Sequence, residues 1–579
     1  MILPAVPERA LTELGRTDGG PETLGLLVRD QHTRRLLLLR AVLDAAEAAG
    51  PAVCSAAARA RLRDDWALLE EADRVERPGR AHRGPLSSER APDGYAGTHG
   101  DLGTRGDLGA YGDRGTQDDH GLHGDRGTRG AVGTYGHPGL PPDPAPYLDP
   151  VVHAEPAAHA DPVAHADAVV RGAAEAVSAL AAPPLSSVRA LLLHPFVGPW
   201  ARHCLSGLGT PPGPRTDRDA RELACGLAHF GALAAAAATR AGIAFAVRLT
   251  ALDGVLTLPS LGALRTTTSG DTPVDVVHRS GRLTFRRAGA ADVVVRLQTG
   301  VGAWSDAAAW TPAHALPGLL PGSAPVPLDD LDPYRTARGG PRPHTLSGPV
   351  TLDDEERKHW LHAWSGTASA LGLGGTQRLA EAVSLLRCLV PLSAPPGSLP
   401  GGRPGGSCSV TRREAFGAVL SSTPAGPTAL AATLVHEVQH TKLAALTDML
   451  TLHHASPSAR YFAPWRSDPR PYDGLLQGTY SHLALADFFQ RRALAADRPA
   501  DRDAAWAQHA RYQEQVGAAL PTLVGSGDLT EPGRRFVNQM VRVYERLAEC
   551  PAPRGQAARA AAYVRAARAL WTQRHAPAE

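Results

Sequence analysis

Between Thr428 and Leu450 the chain places Leu430, Leu434, Val438, Leu443, Leu446 and Leu450 along one side, with neither glycine nor proline between them. Apolar residues at this spacing predict a long amphipathic helix packed into a core. Set into it is the segment His436-Glu-Val-Gln-His440. Residues four apart share a helix face, so both imidazoles project together and can meet one metal ion. Glu437 can reach a metal-bound water or support the ligands around it. Buried polar groups need partners. The fold therefore has to accommodate two histidines and a glutamate inside an apolar helix.

Two histidines leave a site short of ligands, and a third protein ligand is expected. The metzincin extension needs a glycine and then a histidine at positions occupied here by Leu443 and Leu446. The gluzincin pattern needs a downstream glutamate, and none occurs between Thr441 and Gln490. That interval does contain His482, read as standing in the first turn or so of a helix that continues Leu-Ala-Leu-Ala-Asp-Phe-Phe489. His482 is the candidate third ligand. Asp468, Asp473 and Asp487 are the substitutes.

The remainder of the 579 residues divides by pattern, and the length alone suggests about two to four domains. Residues 1–88 read as an N-terminal helical region, with Leu24, Leu26, Leu27, Leu36 to Leu39, Val42 and Leu43 on one side. Residues 89–150 read as a Gly-rich, disordered insertion. From Gly97 to Gly139 glycine takes every third position, broken once at Asp118. That period raises collagen. The intervening sites hold Asp, Thr, Arg, Leu and Tyr with almost no proline, which argues for a flexible linker instead. His153, His159 and His165 recur every six residues just beyond it, a period that matches no helix face.

Residues 151–350 read as a mixed α/β region, with Ala-rich helices and then strands at Ile243–Leu249, Val255–Leu258, Val274–Val277, Leu283–Arg286 and Val293–Leu297. The acidic segment Leu328-Asp-Asp-Leu-Asp-Pro-Tyr-Arg335 is read as a turn. Residues 351–579 read as the helical metal-binding domain, opened by a helix start at Leu352-Asp-Asp-Glu-Glu356. A short strand, Ala415 to Ser421, is placed beside the metal helix, where it could hold an extended peptide by edge pairing.

Composition excludes some partners. Sixty basic and 58 acidic residues nearly cancel, giving no reason to expect nucleic acid or an anionic membrane. The six cysteines are scattered with no C-x-x-C pair, against a zinc ribbon or a disulfide framework. No signal peptide is read at the N-terminus, and the apolar window near Gly226–Val247 reads as a core helix running into a strand. A cytoplasmic location is expected.

Four segments together carry a family resemblance: Thr411-Arg-Arg-Glu-Ala-Phe-Gly-Ala-Val419, Leu434-Val-His-Glu-Val-Gln-His-Thr-Lys-Leu443, Pro464-Trp-Arg-Ser-Asp-Pro-Arg-Pro471 and Gly474-Leu-Leu-Gln-Gly-Thr-Tyr480. Weaker echoes lie in His194-Pro-Phe-Val-Gly-Pro-Trp200 and Leu328–Arg335. The chain resembles the H-E-x-x-H peptide-modification proteins of actinobacterial gene clusters, described as non-haem iron, 2-oxoglutarate-dependent β-hydroxylases of ribosomally made precursor peptides. The resemblance implies Fe(II) and 2-oxoglutarate as cofactors, and O2 and a precursor peptide as reaction partners. An iron(II) oxygenase needs open coordination positions, so three protein ligands suffice. Arg466 and Arg470 are the candidate forks for the distal carboxylate of 2-oxoglutarate.

The fold expected is therefore α+β, mainly helical, with a zincin-like H-E-x-x-H helix in the C-terminal domain. The activity expected is iron(II)/2-oxoglutarate-dependent peptide β-hydroxylation. Two alternatives stand beside it: a zinc metallopeptidase with Glu437 as general base, and a non-catalytic peptide-binding protein whose metal is structural.

Overall fold

The structure, a computed structural model, describes residues 6–76, 185–209, 216–268, 270–336, 350–393 and 408–575. The Gly-rich stretch and the three spaced histidines lie outside these residues. All described residues belong to one unit of the chain.

The order of elements begins with α1 (Glu8–Gly15), α2 (Pro21–Ala48) and α3 (Ala56–Val75), followed by α4 (Ser187–Leu192), α5 (Val197–Leu208) and α6 (Asp217–Arg240). Ten strands come next: β1 (Phe245–Ala251), β2 (Val255–Leu258), β3 (Gly262–Arg265), β4 (Thr272–Arg279), β5 (Arg282–Arg286), β6 (Val293–Leu297), β7 (Ala303–Trp304), β8 (Trp310–Pro312), β9 (His314–Leu316) and β10 (Val326–Leu328). The C-terminal part holds α7 (Asp354–Ser365), α8 (Thr367–Leu373), α9 (Thr376–Leu385), β11 (Cys388–Leu392), β12 (Ser409–Val410) and β13 (Ala418–Ser422). It ends in α10 (Pro427–Met449), α11 (Tyr472–Ala495), α12 (Pro499–Val524), α13 (Glu531–Ala548) and α14 (Arg554–His575). The architecture is mixed α+β and mainly helical.

Local chemistry accounts for several boundaries. Asp353 caps α7 in a capping box with Glu356, the start that the acidic run signals. Gly426 and Pro427 open α10, proline being tolerated where the first amide has no helical partner anyway. Helix α6 is long and apolar enough to cross a bilayer, yet 78% of its apolar window is buried within the protein. It runs into β1 as a core helix.

The sheet β12-β13-β11-β10-β9 positions the candidate site. Strands β10, β11 and β13 run parallel, with antiparallel β9 and β12 at the two edges. Every residue of β11 and β13 is buried. Alternate side chains of a strand point to opposite faces, and here the faces belong to different cores. Leu389 and Val419 join a core with Leu434, Val435 and Val438 of α10. Cys388, Val390, Leu392, Ala418 and Leu420 join a second core with α5, α6 and the strands of the middle region. A strand buried on both faces reads as a continuous apolar run, as Cys388-Leu-Val-Pro-Leu392 does. Helix α2 ties the cores together, with Leu24 and Leu27 in the first and Leu39 and Val42 in the second. Between them the buried Arg35 guanidinium donates to the carbonyls of Leu193 and Phe416.

The strand expected at Ala415–Ser421 begins later, at Ala418, and it is not an edge. Both of its sides are taken, by β11 and by β12. Among the described residues the open edge beside α10 is β12.

Candidate metal centre

On α10 the two motif histidines stand on one face. His436 Nε2 and His440 Nε2 lie 3.0 Å apart with their rings nearly perpendicular. Two ligand nitrogens each about 2.1 Å from a common ion stand about 3.0 Å apart at a right angle and about 3.4 Å apart at the tetrahedral angle. The observed pair fits the first arrangement. Gln477 of α11 accepts from His440 Nδ1 at 3.0 Å. With Nδ1 carrying the proton, Nε2 is left with its lone pair facing His436, the second support a ligating histidine needs. Burial pushes the His436 pKa down to about 4, with the neighbouring His440 adding to the effect and Glu437 opposing it. His436 is neutral at pH 7, the form that ligates metal.

His482 lies beside this pair. Its ring centroid is 5.6 Å from that of His436, and it is held edge-on by Trp465 at 4.6 Å and Tyr512 at 5.1 Å. Its Nδ1 is buried without a hydrogen-bond partner. Burial, with His436, Arg511 and His440 adding to it, holds this imidazole well below its usual pKa. A buried ring nitrogen with no partner is costly, and a metal ion would satisfy it. The helix carrying His482 starts at Tyr472, so the residue stands mid-helix and not in the first turn. Two glycines hid those early turns. A Cβ at Gly478 would come within 2.3 Å of the Trp465 ring, so the glycine is what lets Trp465 lie against His482.

The aspartates named as substitute ligands are engaged elsewhere. Asp468 accepts from Arg466 and Arg470, Asp473 stands 3.9 Å from His453, and Asp487 pairs with Arg378, Arg491 and Arg546. The two arginines of the Trp-Arg-Ser-Asp-Pro-Arg-Pro box therefore share one carboxylate, at 2.7 and 3.3 Å.

Glu437 is 1% exposed, and one of its oxygens lies 4.0 Å from His436 Nε2. Both of its oxygens accept from hydroxyls of the strand segment alongside, Ser409 Oγ at 2.6 Å and Thr411 Oγ1 at 2.5 Å. The carboxylate ties the edge of the sheet to the helix. Sequence reasoning missed Ser409, Gln477 and Tyr512. Gln477 lies inside a segment that carried the resemblance, and its place beside His440 becomes visible once that segment is helical.

Among the described residues, three ligand-type atoms all within 4.8 Å of one another occur at a different place: His194, Asp329 and Asp332. There Asp329 accepts from the amides of Leu331 and Asp332, and Asp332 from that of Tyr334, the turn that Asp-Pro-Tyr suggested.

Residues 91–147 match the collagen triple helix repeat (20 copies), a stretch that lies outside the described residues. No curated protein matches the chain.

Proposed function

We propose that this chain is an iron(II)/2-oxoglutarate-dependent peptide hydroxylase that acts in the cytoplasm on a β-carbon of a ribosomally made precursor peptide. The observation that carries the reading is the imidazole cluster: two facing Nε2 atoms 3.0 Å apart, one of them oriented by Gln477, beside a third histidine with an unpartnered ring nitrogen. His436, His440 and His482 would hold the ion. Three protein ligands leave positions open for a bidentate 2-oxoacid and O2. When bound, the metal and 2-oxoglutarate supply the oxidising chemistry: the 2-oxoacid loses CO2 and takes one oxygen atom, while the peptide C–H takes the other.

The chain's own residues have defined tasks in this scheme. Gln477 fixes the His440 tautomer, and Trp465 covers His482 against solvent. Ser409 and Thr411 hold Glu437 through both of its oxygens. An extended peptide laid along the open edge of β12 would pass beside that carboxylate. Arg466 and Arg470 are the carboxylate forks implied by the family resemblance, with Asp468 to be displaced from one of them.

The zinc peptidase reading has one observation in its favour, the 4.0 Å approach of Glu437 to His436. The two readings part at Glu437→Gln. A peptidase needs that carboxylate to take a proton from water, and the variant would be nearly inactive. A hydroxylase deprotonates no water there, so the variant should keep most of its activity. Mass spectrometry of the co-encoded peptide incubated with iron(II), 2-oxoglutarate and air reads the outcome. One added oxygen atom that depends on 2-oxoglutarate supports hydroxylation. Cleaved peptide formed without 2-oxoglutarate overturns it.

A further inference from the structure

The antiparallel sheet β1-β4-β5-β6-β7 buries one face. Val276, Phe285 and Val295 point into the core shared with α6, and the residues alternating with them point outward. The strand register sorts those outer residues into rows that cross the sheet. One row is Arg279, Arg282, Arg296 and Trp304, each directly opposite the next. The row beside it is Ala246, Val277, Thr284 and Val294. A third holds Arg248, Asp275 and Arg286. The three arginines of the first row are exposed, as are Val294 and Trp304, the latter at 44%.

The rows differ in how charge is matched. Arg248 pairs with Asp275 at 2.7 Å, and Arg286 reaches Asp292 at 3.3 Å. Among the described residues these are the ion pairs of this face, and Arg279, Arg282 and Arg296 take part in none. Like charges directly opposite one another across a sheet are destabilising. Here three stand in line, about 4.8 Å apart from strand to strand, a cost that a bound anion would relieve.

The size and make-up of the patch select the partner. Planar guanidinium forks match carboxylates, and the apolar row gives apolar side chains a surface beside them. Anionic membranes recruit clusters of about four to eight basic residues, and duplex DNA draws on about six to ten phosphate contacts. This row offers three arginines, in a chain whose 60 basic and 58 acidic residues create no broad positive field.

We infer that this face docks an acidic segment of the peptide substrate, its carboxylates on Arg279, Arg282 and Arg296 and its apolar side chains on Val277, Val294 and Trp304. That the partner is the substrate rests on the hydroxylase reading; the docking itself needs neither metal nor cosubstrate.

The test is fluorescence anisotropy of the full-length protein without iron or 2-oxoglutarate. Two labelled synthetic peptides share their leucines and one phenylalanine and differ only in carrying Glu or Gln between them. The Glu peptide should bind more tightly, and salt should weaken it. Replacing the row together, Arg279→Gln, Arg282→Gln and Arg296→Gln, should weaken the Glu peptide roughly 3- to 100-fold and bring it to the level of the Gln peptide. Arg248→Gln with Arg286→Gln, whose charges are already paired, should have a smaller effect. With the co-encoded peptide, the row variant should raise KM more than it lowers kcat. Equal binding of both peptides by wild type, or a preference that survives in the row variant, overturns the docking surface and leaves the hydroxylase reading standing. Tighter binding of a single-stranded oligonucleotide or of phosphatidylserine vesicles through the same arginines also overturns it. Docking that holds while the co-encoded peptide gains no oxygen atom overturns the hydroxylase reading alone.

Discussion

Helix α10 carries polar residues into the core on two sides, and the protein treats the two sides differently. On one side Lys442 Nζ donates to Glu381 at 2.7 Å and to the Thr17 carbonyl at 2.8 Å. Arg378 reaches both Glu381 and Asp487 at 3.2 Å, and Arg491 and Arg546 complete the set around Asp487. Each charge there faces an opposite one. On the other side His436 and His440 turn their ring nitrogens toward each other, and His482 keeps a buried nitrogen with no partner. The charges of the first side pair within the chain, while Arg378 Nε and Gln439 Oε1 there lack a hydrogen-bond partner. The second brings imidazole nitrogens together in place of ion pairs, and it is there that a metal ion is proposed.

The largest loss should follow from removing the buried lysine of the ion-paired side. Lys442→Met leaves Glu381 and the Thr17 carbonyl short of a cation that is fully buried. Removing one partner of a buried ionic group costs on the order of 3–5 kcal/mol, so urea unfolding should show a loss of that size. The fraction that remains folded should bind metal normally. A metal-binding defect with unchanged stability would mean that the two sides are not separate.

A smaller effect is expected from the open side. Gln477→Leu removes the acceptor that orients His440, and losses of such supports typically weaken metal binding about 10- to 100-fold. Stability without metal should change by less than about 1 kcal/mol, because one part-buried hydrogen bond is lost. Competition with a chromophoric chelator reads the affinity. Unaltered affinity would leave His440 without its proposed orienting partner.

The smallest effect concerns pH. Burial works to raise the Asp487 pKa, but Arg378, Arg491 and Arg546 outweigh it and hold the carboxylate below its ordinary value. An acid depressed in the folded state contributes stability above its unfolded pKa near about 3.9 and loses it as pH falls through the folded value. The loss therefore falls below about pH 4. Asp487→Asn should flatten that acid limb while lowering stability at neutral pH. An acid limb identical to wild type would show that the network is not what acid dismantles.

Much of the frame was legible before the structure. The span of α10 follows from its unbroken apolar spacing, and Val255–Leu258 and Val293–Leu297 are strands where β-branched and apolar runs placed them. The start of α7 was readable because a capping box is local chemistry. What stayed hidden depends on contacts between distant segments. Nothing in the sequence around His482 says that its Nδ1 lacks a partner, since that depends on every other element packed near α11. The early turns of α11 were hidden because Gly474 and Gly478 weaken a helix reading, and only the nearby Arg470 and Trp465 side chains show why small residues stand there. The role of β12 as the open edge required knowing that β13 is already paired on both sides.

His436, His440 and His482 are proposed to hold one divalent ion together. X-ray absorption and elemental analysis of iron(II)-loaded, oxygen-free, full-length protein test it most directly. Three imidazole nitrogens at about 2.0–2.2 Å are expected, with the loss of one ion per chain in each of His436→Ala, His440→Ala and His482→Ala. Metal content that stays at the wild-type level in the folded His436→Ala and His440→Ala variants would contradict it.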